Sequence, residues 1–105
     1  MGSPNLIYIN ELASGDQNFR TKLINIIKEE LPIEVNAYHS NIKKGLLKKA
    51  AENVHKLKHK ISILGLEKSY YLAIEFEEDL KIESLEKREE FEKVLSLMTD
   101  FVNNL

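Results

Sequence analysis

A short stretch in the middle of the chain concentrates the side chains that are able to do chemistry. His55 is followed three residues later by Lys58 and four residues later by His59, and Glu52 precedes it by three residues. Because residues three and four apart share one face of a helix, these groups would stand together if the stretch is helical. A neutral imidazole is a nucleophile near pH 7 that can attack an activated phosphoryl group, and a nearby ammonium offsets the negative charge that forms.

The spacing of apolar residues predicts that this stretch is an amphipathic helix over about residues 46–64. Its apolar members should face the core, within an arc of roughly 100°. They are Leu46, Leu47, Ala50, Val54, Leu57, Ile61 and Leu64. Since a helix advances about 100° per residue, His55 points roughly 140° away from the centre of this arc. We therefore expect His55 to be exposed, with Ser62 close by and Lys58 on the flank.

Two helices are predicted before this central one. A short helix over residues 5–12 would end near Gly15, and Asp16 would cap the next helix by accepting hydrogen bonds from its free backbone N–H groups. The second helix would continue to Gly45, where a glycine can end it. Pro32 lies within it and predicts a kink or a brief break, because proline lacks the N–H of the helical hydrogen bond.

Two helices are predicted after the central one. Gly65 would end the central helix, a fourth would run over about residues 66–81, and Ser84 would cap a last helix over residues 87–105. Helices joined by such short connections are expected to form an all-α, antiparallel up-and-down four-helix bundle, with the short first helix across one end. The later aromatic residues are expected in its core: Tyr70, Tyr71, Phe76, Phe91 and Phe101.

The composition indicates one folded domain. The chain has 105 residues, of which 43% are hydrophobic and 30% charged, and we place the domain over residues 5–105, after a flexible N-terminus or expression remnant over residues 1–4. It contains no cysteine, so disulfides and thiolate metal sites are excluded. With no signal-peptide pattern and no apolar run of membrane-spanning length, we expect a cytoplasmic protein without a membrane partner.

The charged residues exclude one class of partner. The formal net charge is −2, so the chain lacks the overall positive field that supports non-specific nucleic-acid binding, and we expect no nucleic-acid partner. Lys56 and Lys60 nevertheless make the central helix locally basic. The acidic runs over residues 75–79 and 86–90 are expected to be solvated helix faces.

The central helix also carries a motif that resembles a known family. Its residues are Val54-His55-Lys56-Leu57-Lys58, followed by Leu64-Gly65. This pattern is similar to the signature of histidine phosphotransfer domains, in which a small or apolar residue, His, any residue, Leu and Lys are followed by Leu-Gly. Earlier segments also resemble the first two helices of that family, so the resemblance spans nearly the whole chain. They are Tyr8-Ile9-Asn10-Glu11-Leu12, Gly15-Asp16, Phe19 and Glu30-Leu31-Pro32.

The resemblance implies a role for each residue of the motif. His55 would be the phosphoryl acceptor, Lys58 the cation that stabilises the phosphate, and Leu57, Leu64 and Gly65 its structural members. The chain would be a phosphoryl carrier, not an ATP-dependent kinase, and would act between receiver domains of response regulators and hybrid histidine kinases.

The resemblance also limits what the chain itself must supply. The receiver would bring Mg²⁺, so the chain needs no cofactor of its own. Docking should use exposed residues that flank His55 and residues of the second helix. One chain contains enough helices for the bundle, unlike the two-helix hairpin of a kinase dimerisation domain, and we therefore expect a monomer.

His59 departs from the family pattern, which usually has glycine or another small residue at this position. Its side chain could crowd the approach to His55, contact the phosphoryl group, rotate into solvent or act as a second acceptor. Glu52, Lys56 and Ser62 lie near the site without an assigned role. One alternative is a degenerate, non-catalytic helical adaptor that binds receiver domains. A second is a divalent-metal site at Glu52, His55 and His59, although no further ligand is evident.

Overall fold

The computed structural model describes residues 2–105, and within this range the chain is all-helical, without a strand. The helices are α1 (Ile7–Ala13), α2 (Gln17–Lys43), α3 (Leu47–Ile63), α4 (Glu67–Lys81) and α5 (Arg88–Asn103). The four long helices pack against one another and α1 packs against α2. Met1, which belongs to the predicted flexible end, lies outside the described residues.

Aromatic rings from three helices form the centre of the core. Tyr38 of α2, Phe76 of α4 and Phe91 of α5 are fully buried, and the Phe91 ring centroid lies 5.4 Å from that of Tyr38 and 5.1 Å from that of Phe76. The Tyr38 hydroxyl donates a hydrogen bond of 3.0 Å to Glu92 Oε2, so its polar end is satisfied. Helix α3 packs its predicted apolar face against this core, with Ala50, Val54, Leu57 and Ile61 buried. This packing determines which side of α3 faces outward.

Two residues predicted for the core lie at the surface. Leu46 is 40% exposed because it precedes the first turn of α3 and lacks helical backbone angles, so the helical periodicity does not apply to it. Tyr71 is 61% exposed, whereas its neighbour Tyr70 is partly buried. Consecutive residues point about 100° apart on a helix, so only one of the two tyrosines can face the core. Phe101 is also only partly buried against it.

Helix α2 continues through Pro32 without interruption, so the predicted break is wrong. The proline leaves the Lys28 carbonyl without its usual helical partner. Both residues lie on the exposed side of the helix, where water can bond that carbonyl. Leu31 and Tyr38 are buried on either side of the proline and hold the two halves of the helix against the same core.

The predicted ends of α2 and α3 are confirmed. The Phe19 N–H donates to Asp16 Oδ1 at 3.0 Å, which makes Asp16 the N-cap of α2. Gly45 and Gly65 each follow a helix C-cap with positive φ, +73° and +77°. At the end of α3 the Gly65 N–H donates to the Ser62 carbonyl at 3.0 Å, a bond that satisfies one of the free carbonyls of the last turn.

The start of α5 differs from the prediction. The helix begins at Arg88, and Ser84 does not cap it. The Ser84 hydroxyl instead accepts a hydrogen bond of 3.4 Å from the Glu86 N–H, and the Arg88 N–H donates to the Leu85 carbonyl at 3.0 Å. The connection between α4 and α5 therefore contains a turn of its own before the helical periodicity begins.

Lys60 is buried between α2 and α3, which contradicts the expectation that it adds to the basic face around His55. Its side chain is 11% exposed, and its Nζ lies 2.9 Å from Glu30 Oε1 and 3.0 Å from Glu34 Oε2. Burial acts to lower the pKa of Lys60, but the hydrogen bonds that its ammonium donates to the two glutamates outweigh burial and raise this pKa above its ordinary value. The ion pairs therefore keep Lys60 charged and tie α3 to α2.

Glu83 is a site where one substitution should stabilise the fold. It follows the C-cap of α4 with a φ of +61°, and the next N–H, that of Ser84, donates to the Asp79 carbonyl at 2.8 Å. Because a side chain disfavours this left-handed conformation, Glu83→Gly should raise the free energy of unfolding by about 1 kcal/mol in denaturant titrations. Glu86→Gly, in the same connection without a positive φ, is the control. An equal gain in both variants would contradict this account.

Loss of the Lys60 ion pairs should destabilise the protein. Lys60→Ala leaves the Glu34 carboxylate mostly buried without a cation, and we expect the free energy of unfolding to fall by about 2 kcal/mol. Since the folded-state pKa of Lys60 is raised, its contribution is present below the ordinary lysine pKa and is lost as pH rises through the folded value. Lys56→Ala, exposed on the same helix, should leave stability unchanged, and equal losses in the two variants would show that burial of Lys60 is irrelevant.

Candidate functional site

His55 lies in the middle of α3, on the side that faces away from the buried stripe formed by Ala50, Val54, Leu57 and Ile61. Its side chain is 54% exposed, as the helical periodicity predicts. The stripe positions this side chain, because Val54 and Leu57 on either side of it in sequence are fully buried and set the rotation of the helix. The ring is thus accessible to a partner while the backbone that carries it is held by the core.

A carboxylate from α4 contacts the His55 ring. Both oxygens of Glu77 lie 3.2 Å from His55 Nδ1. Lys58 completes the cluster, with its Nζ 3.2 Å from Glu77 Oε1 and 3.3 Å from His55 Nδ1. Glu77 and Lys58 are only 12% and 13% exposed, so the inner side of the ring is fixed by two nearly buried charged groups. Glu77 was expected on a solvated helix face, and this expectation is wrong.

The charge of Glu77 determines which ring nitrogen is free. Burial acts to raise the pKa of Glu77, but hydrogen bonds from Lys58 and His55 outweigh burial and lower this pKa, so the carboxylate is ionised at neutral pH. An ionised carboxylate only accepts hydrogen bonds, so Nδ1 carries the hydrogen and donates it to Glu77. The lone pair of the neutral ring is then on Nε2, which makes no hydrogen bond within residues 2–105.

Lys58 occupies a different place from the one its predicted role suggests. Its ammonium lies on the Nδ1 side of the ring, where Glu77 accepts one of its hydrogen bonds. In the tautomer that Glu77 selects, Nδ1 has no lone pair to offer Lys58. The direct effect of Lys58 is therefore on the carboxylate, which it holds beside the ring. Its contact with a phosphoryl group on Nε2 stays a prediction.

A hollow of about 700 Å³ opens beside His55 between α3 and α4. Its walls bring two of the residues without an assigned role, Glu52 and Lys56, to the neighbourhood of His55. The other lining residues are Lys48, Ala51, Asn53, Glu77 and Lys81. The hollow gives a visiting group space next to the ring on the α4 side of α3.

His59 and Ser62 differ in their relation to His55. The His59 ring stands edge-on to the His55 ring, with centroids 5.3 Å apart and planes at 89°. Its side chain therefore fills space beside the His55 ring that a small residue would leave open. Ser62 instead lines a separate hollow of about 360 Å³ with Tyr8 and Tyr70, and the fold does not bring it to His55.

Leu57, Leu64 and Gly65, the motif residues to which the resemblance gives structural roles, contribute to the core and to the turn after α3. Leu57 and Leu64 are completely buried. Gly65 has a positive φ, which favours glycine, and a Cβ there would lie 2.5 Å from Asn5 Nδ2, so the Asn5 side chain would have to move in a variant. The Asn5 N–H also donates to the Leu64 carbonyl at 2.9 Å, so the segment before α1 packs tightly against the end of α3.

The metal-site alternative finds no support in the geometry. Within residues 2–105 no group of three or more His, Asp or Glu side chains is arranged to hold a metal ion. Glu52, His55 and His59 therefore do not form the three-ligand site that this alternative requires. None of the helices in the described part of the chain has the length and apolarity needed to span a membrane.

Comparisons of the chain with models of protein families, with curated proteins and with solved structures find no match. Functional inference therefore depends on the motif and on the geometry around His55.

The position of Glu77 opposite His55 could have been predicted from the sequence, but only by considering α3 and α4 together. Gly65 marks the turn between α3 and α4, and His55 lies ten residues before it. If the chain doubles back at this turn, the residues opposite His55 are those about ten to twelve positions after it, in the acidic run over residues 75–79. Within that run Glu77 follows the buried Phe76 and lies at the edge of the core.

Removal of the Glu77 charge should release the tautomer of His55. In Glu77→Gln the amide can also donate a hydrogen bond, so Nδ1 should lose its exclusive protonation, which ¹⁵N NMR shifts of the imidazole ring would report. Glu75→Gln, on the same helix, is the matched control, because Glu75 is exposed and lies near Lys87, whereas Glu78 shares Lys81 with Glu77. A ring whose Nδ1 stays fully protonated in Glu77→Gln would contradict the assignment.

The difference in stability between the wild type and Glu77→Gln should depend on pH. A lowered folded-state pKa means that Glu77 stabilises the fold above the ordinary glutamate pKa, and that this contribution is lost as pH falls through the folded value. The wild type should therefore be more stable than Glu77→Gln at neutral pH, and the difference should shrink in acid. Thermal unfolding of both proteins across this pH range measures it.

Proposed function

We propose that this chain is a histidine phosphotransfer domain, which accepts a phosphoryl group on His55 from the aspartyl phosphate of one receiver domain and passes it to another. One observation carries the proposal: the exposed imidazole of His55 has its Nδ1 held by Glu77, while Nε2 makes no hydrogen bond to any residue that the structure describes. The motif from Val54 to Lys58, with Leu64 and Gly65, supports it independently through its resemblance to this family.

The chemistry follows from the tautomer. The Nε2 lone pair attacks phosphorus in line with the bond to the aspartyl oxygen, which breaks and leaves its electron pair on the receiver carboxylate. A nitrogen–phosphorus bond forms, and the ring gains positive charge while Nδ1 keeps its proton. The Glu77 carboxylate, 3.2 Å from Nδ1, offsets that charge. The second transfer is the reverse, with the carboxylate of another receiver as the attacking group.

The proposal includes the finer architecture, an antiparallel four-helix bundle with α1 across one end. Side-chain bonds between the helices support it. The end of α2 lies beside the start of α3, where Asn41 bonds Asn53 at 2.6 Å. Further back along α2, Glu30 and Glu34 bond Lys60, near the end of α3. Such a bundle presents His55 from a single chain, and so we propose a monomer.

The chain and the receiver domain would contribute different parts of the reaction site. The chain supplies a positioned nucleophile and a docking surface, and the receiver supplies Mg²⁺, which neutralises charge on the phosphoryl group when it is bound. On this basis the chain is a phosphoryl carrier that needs no nucleotide site. We propose that it works in the cytoplasm, where receiver domains act.

Transfer of labelled phosphate from receiver domains tests the function. The wild type, incubated with Mg²⁺ and receivers phosphorylated on aspartate, should gain acid-labile label, and His55→Gln should lose at least 99% of it because the attacking nitrogen is gone, a loss on the order of 100-fold. His59→Gly should keep the label, because the small residue leaves His55 in place. Circular dichroism checks that both variants keep the helical fold.

Two outcomes would contradict this proposal. Label that persists in His55→Gln and disappears in His59→Gly would move the acceptor to His59. Absence of label on the wild type with every receiver tested would favour the non-catalytic adaptor, which binds receivers without accepting their phosphate.

A further inference from the structure

The lysines of the chain are concentrated around His55. Residues 43–60 contain seven lysines and one glutamate, in a chain whose formal net charge is −2. The rest of the molecule therefore carries a marked excess of acid. A basic segment in an otherwise acidic protein produces a directional field that attracts negatively charged groups to one side of the molecule.

Only some of these lysines are neutralised by neighbouring helices. Lys58 pairs with Glu77 of α4, and Lys60 pairs with the two glutamates of α2. The others are exposed and make no ion pair within residues 2–105. They are Lys43, Lys44, Lys48, Lys49 and Lys56. The fold thus uses two of the lysines internally and leaves the other five to external partners.

Two of the unpaired lysines border the hollow beside His55. Lys48 points within about 20° of His55 around α3, two turns earlier, and Lys56 follows His55 directly. Both line the hollow, together with Lys81 from α4. Ala51, which is small and 3% exposed, leaves the space between them open. The lining also contains Glu52 and Glu77, and Lys81 is paired with Glu77 and Glu78. Lys48 and Lys56 are therefore the lining cations that make no ion pair within residues 2–105.

We propose that the phosphodonor docks over this hollow between α3 and α4, with Lys48 and Lys56 facing the acidic surface around its aspartyl phosphate. The inference rests on the proposed function and adds the docking face to it. An aspartyl phosphate is itself anionic, and a protein site for Mg²⁺ beside it is built from further carboxylates. Such a surface complements the unpaired lysines. Since Lys48 lies nearly in line with His55 and Lys56 points toward the α2 flank, the proposed docking face is the outer face of α3 together with the adjoining edge of α4.

The features of the hollow favour an acidic protein over a nucleic acid. Its lining contains no ring on which a base could stack apart from the His55 imidazole, and no arginine. The formal net charge of −2 also opposes non-specific binding of a long polyanion. A compact acidic protein surface, by contrast, needs only a local match of charge.

Charge reversal in the hollow tests the docking face. The variant is Lys48→Glu with Lys56→Glu, and the matched control is Lys22→Glu with Lys93→Glu, two exposed lysines of α2 and α5 that likewise make no ion pair in the described chain. The probe is a set of purified receiver domains phosphorylated by acetyl phosphate in Mg²⁺. At low salt the transfer rate should fall about tenfold or more in the hollow variant and less than about twofold in the control.

Two further measurements separate docking from chemistry. Phosphoramidate, a small donor that needs no docking surface, should phosphorylate His55 equally fast in the wild type and in both variants. Added salt should slow transfer from receivers to the wild type and have little effect on the hollow variant, whose attractive field is gone.

Each contrary result has a distinct meaning. If receivers phosphorylate the wild type and the hollow variant at the same rate, the docking face is wrong and the transfer function stands. If no receiver phosphorylates the wild type although phosphoramidate does, the transfer function fails and the docking inference fails with it. Binding of duplex DNA at physiological salt that the hollow variant loses would overturn the inference in favour of a nucleic-acid surface.

Discussion

The contact between the Glu77 carboxylate and Nδ1 of His55 joins the fold to the chemistry. It connects two helices that are adjacent in the chain, and it requires the turn at Gly65 to bring α4 back along α3 in one particular register. Since the carboxylate is nearly buried and paired with Lys58, it remains ionised and accepts from the ring. The free lone pair on Nε2, on which the proposed function depends, is therefore set by the packing of two helices as much as by the histidine itself.

Lysine has two uses in this protein, and burial separates them. Where a lysine lies at an interface between helices, glutamates of the neighbouring helix surround its ammonium, and the pair holds the two helices together. Where a lysine lies on the outer face of α3, no carboxylate in the described part of the chain pairs with it, and its charge extends into solvent. Glutamates of α2 and α4 thus neutralise the two lysine charges that would otherwise be buried without a partner.

Local signals in the sequence predicted the parts of the fold that depend on one element at a time. Asp16, Gly45 and Gly65 act as helix ends through their own backbone chemistry, and the periodicity of α3 placed His55 on the outside. Ser84 failed as a cap because an intervening turn delays α5, a feature that depends on how the connection packs and not on the type of one residue.

These local signals could not predict which side chains of different helices pair with one another. Glu77 lay within an acidic run whose members look alike until the register of α4 against α3 is known. Lys60 was assigned to the surface by its charge, although the helical arithmetic already placed it at the edge of the apolar arc. The glutamates at positions 30 and 34, one helical turn apart, were the matching signal on α2.

Lys58 and Lys60 flank opposite edges of the apolar stripe of α3, and each is anchored to a different neighbouring helix. Together the two ion pairs resist rotation of α3 about its axis, because rotation in either direction would lengthen one of them. The direction in which His55 points around the axis of α3 is consequently fixed in the unbound protein. In the proposed phosphotransfer, an imidazole that is oriented in advance would lose little rotational entropy on encounter, so that binding energy from the receiver remains for the transfer step.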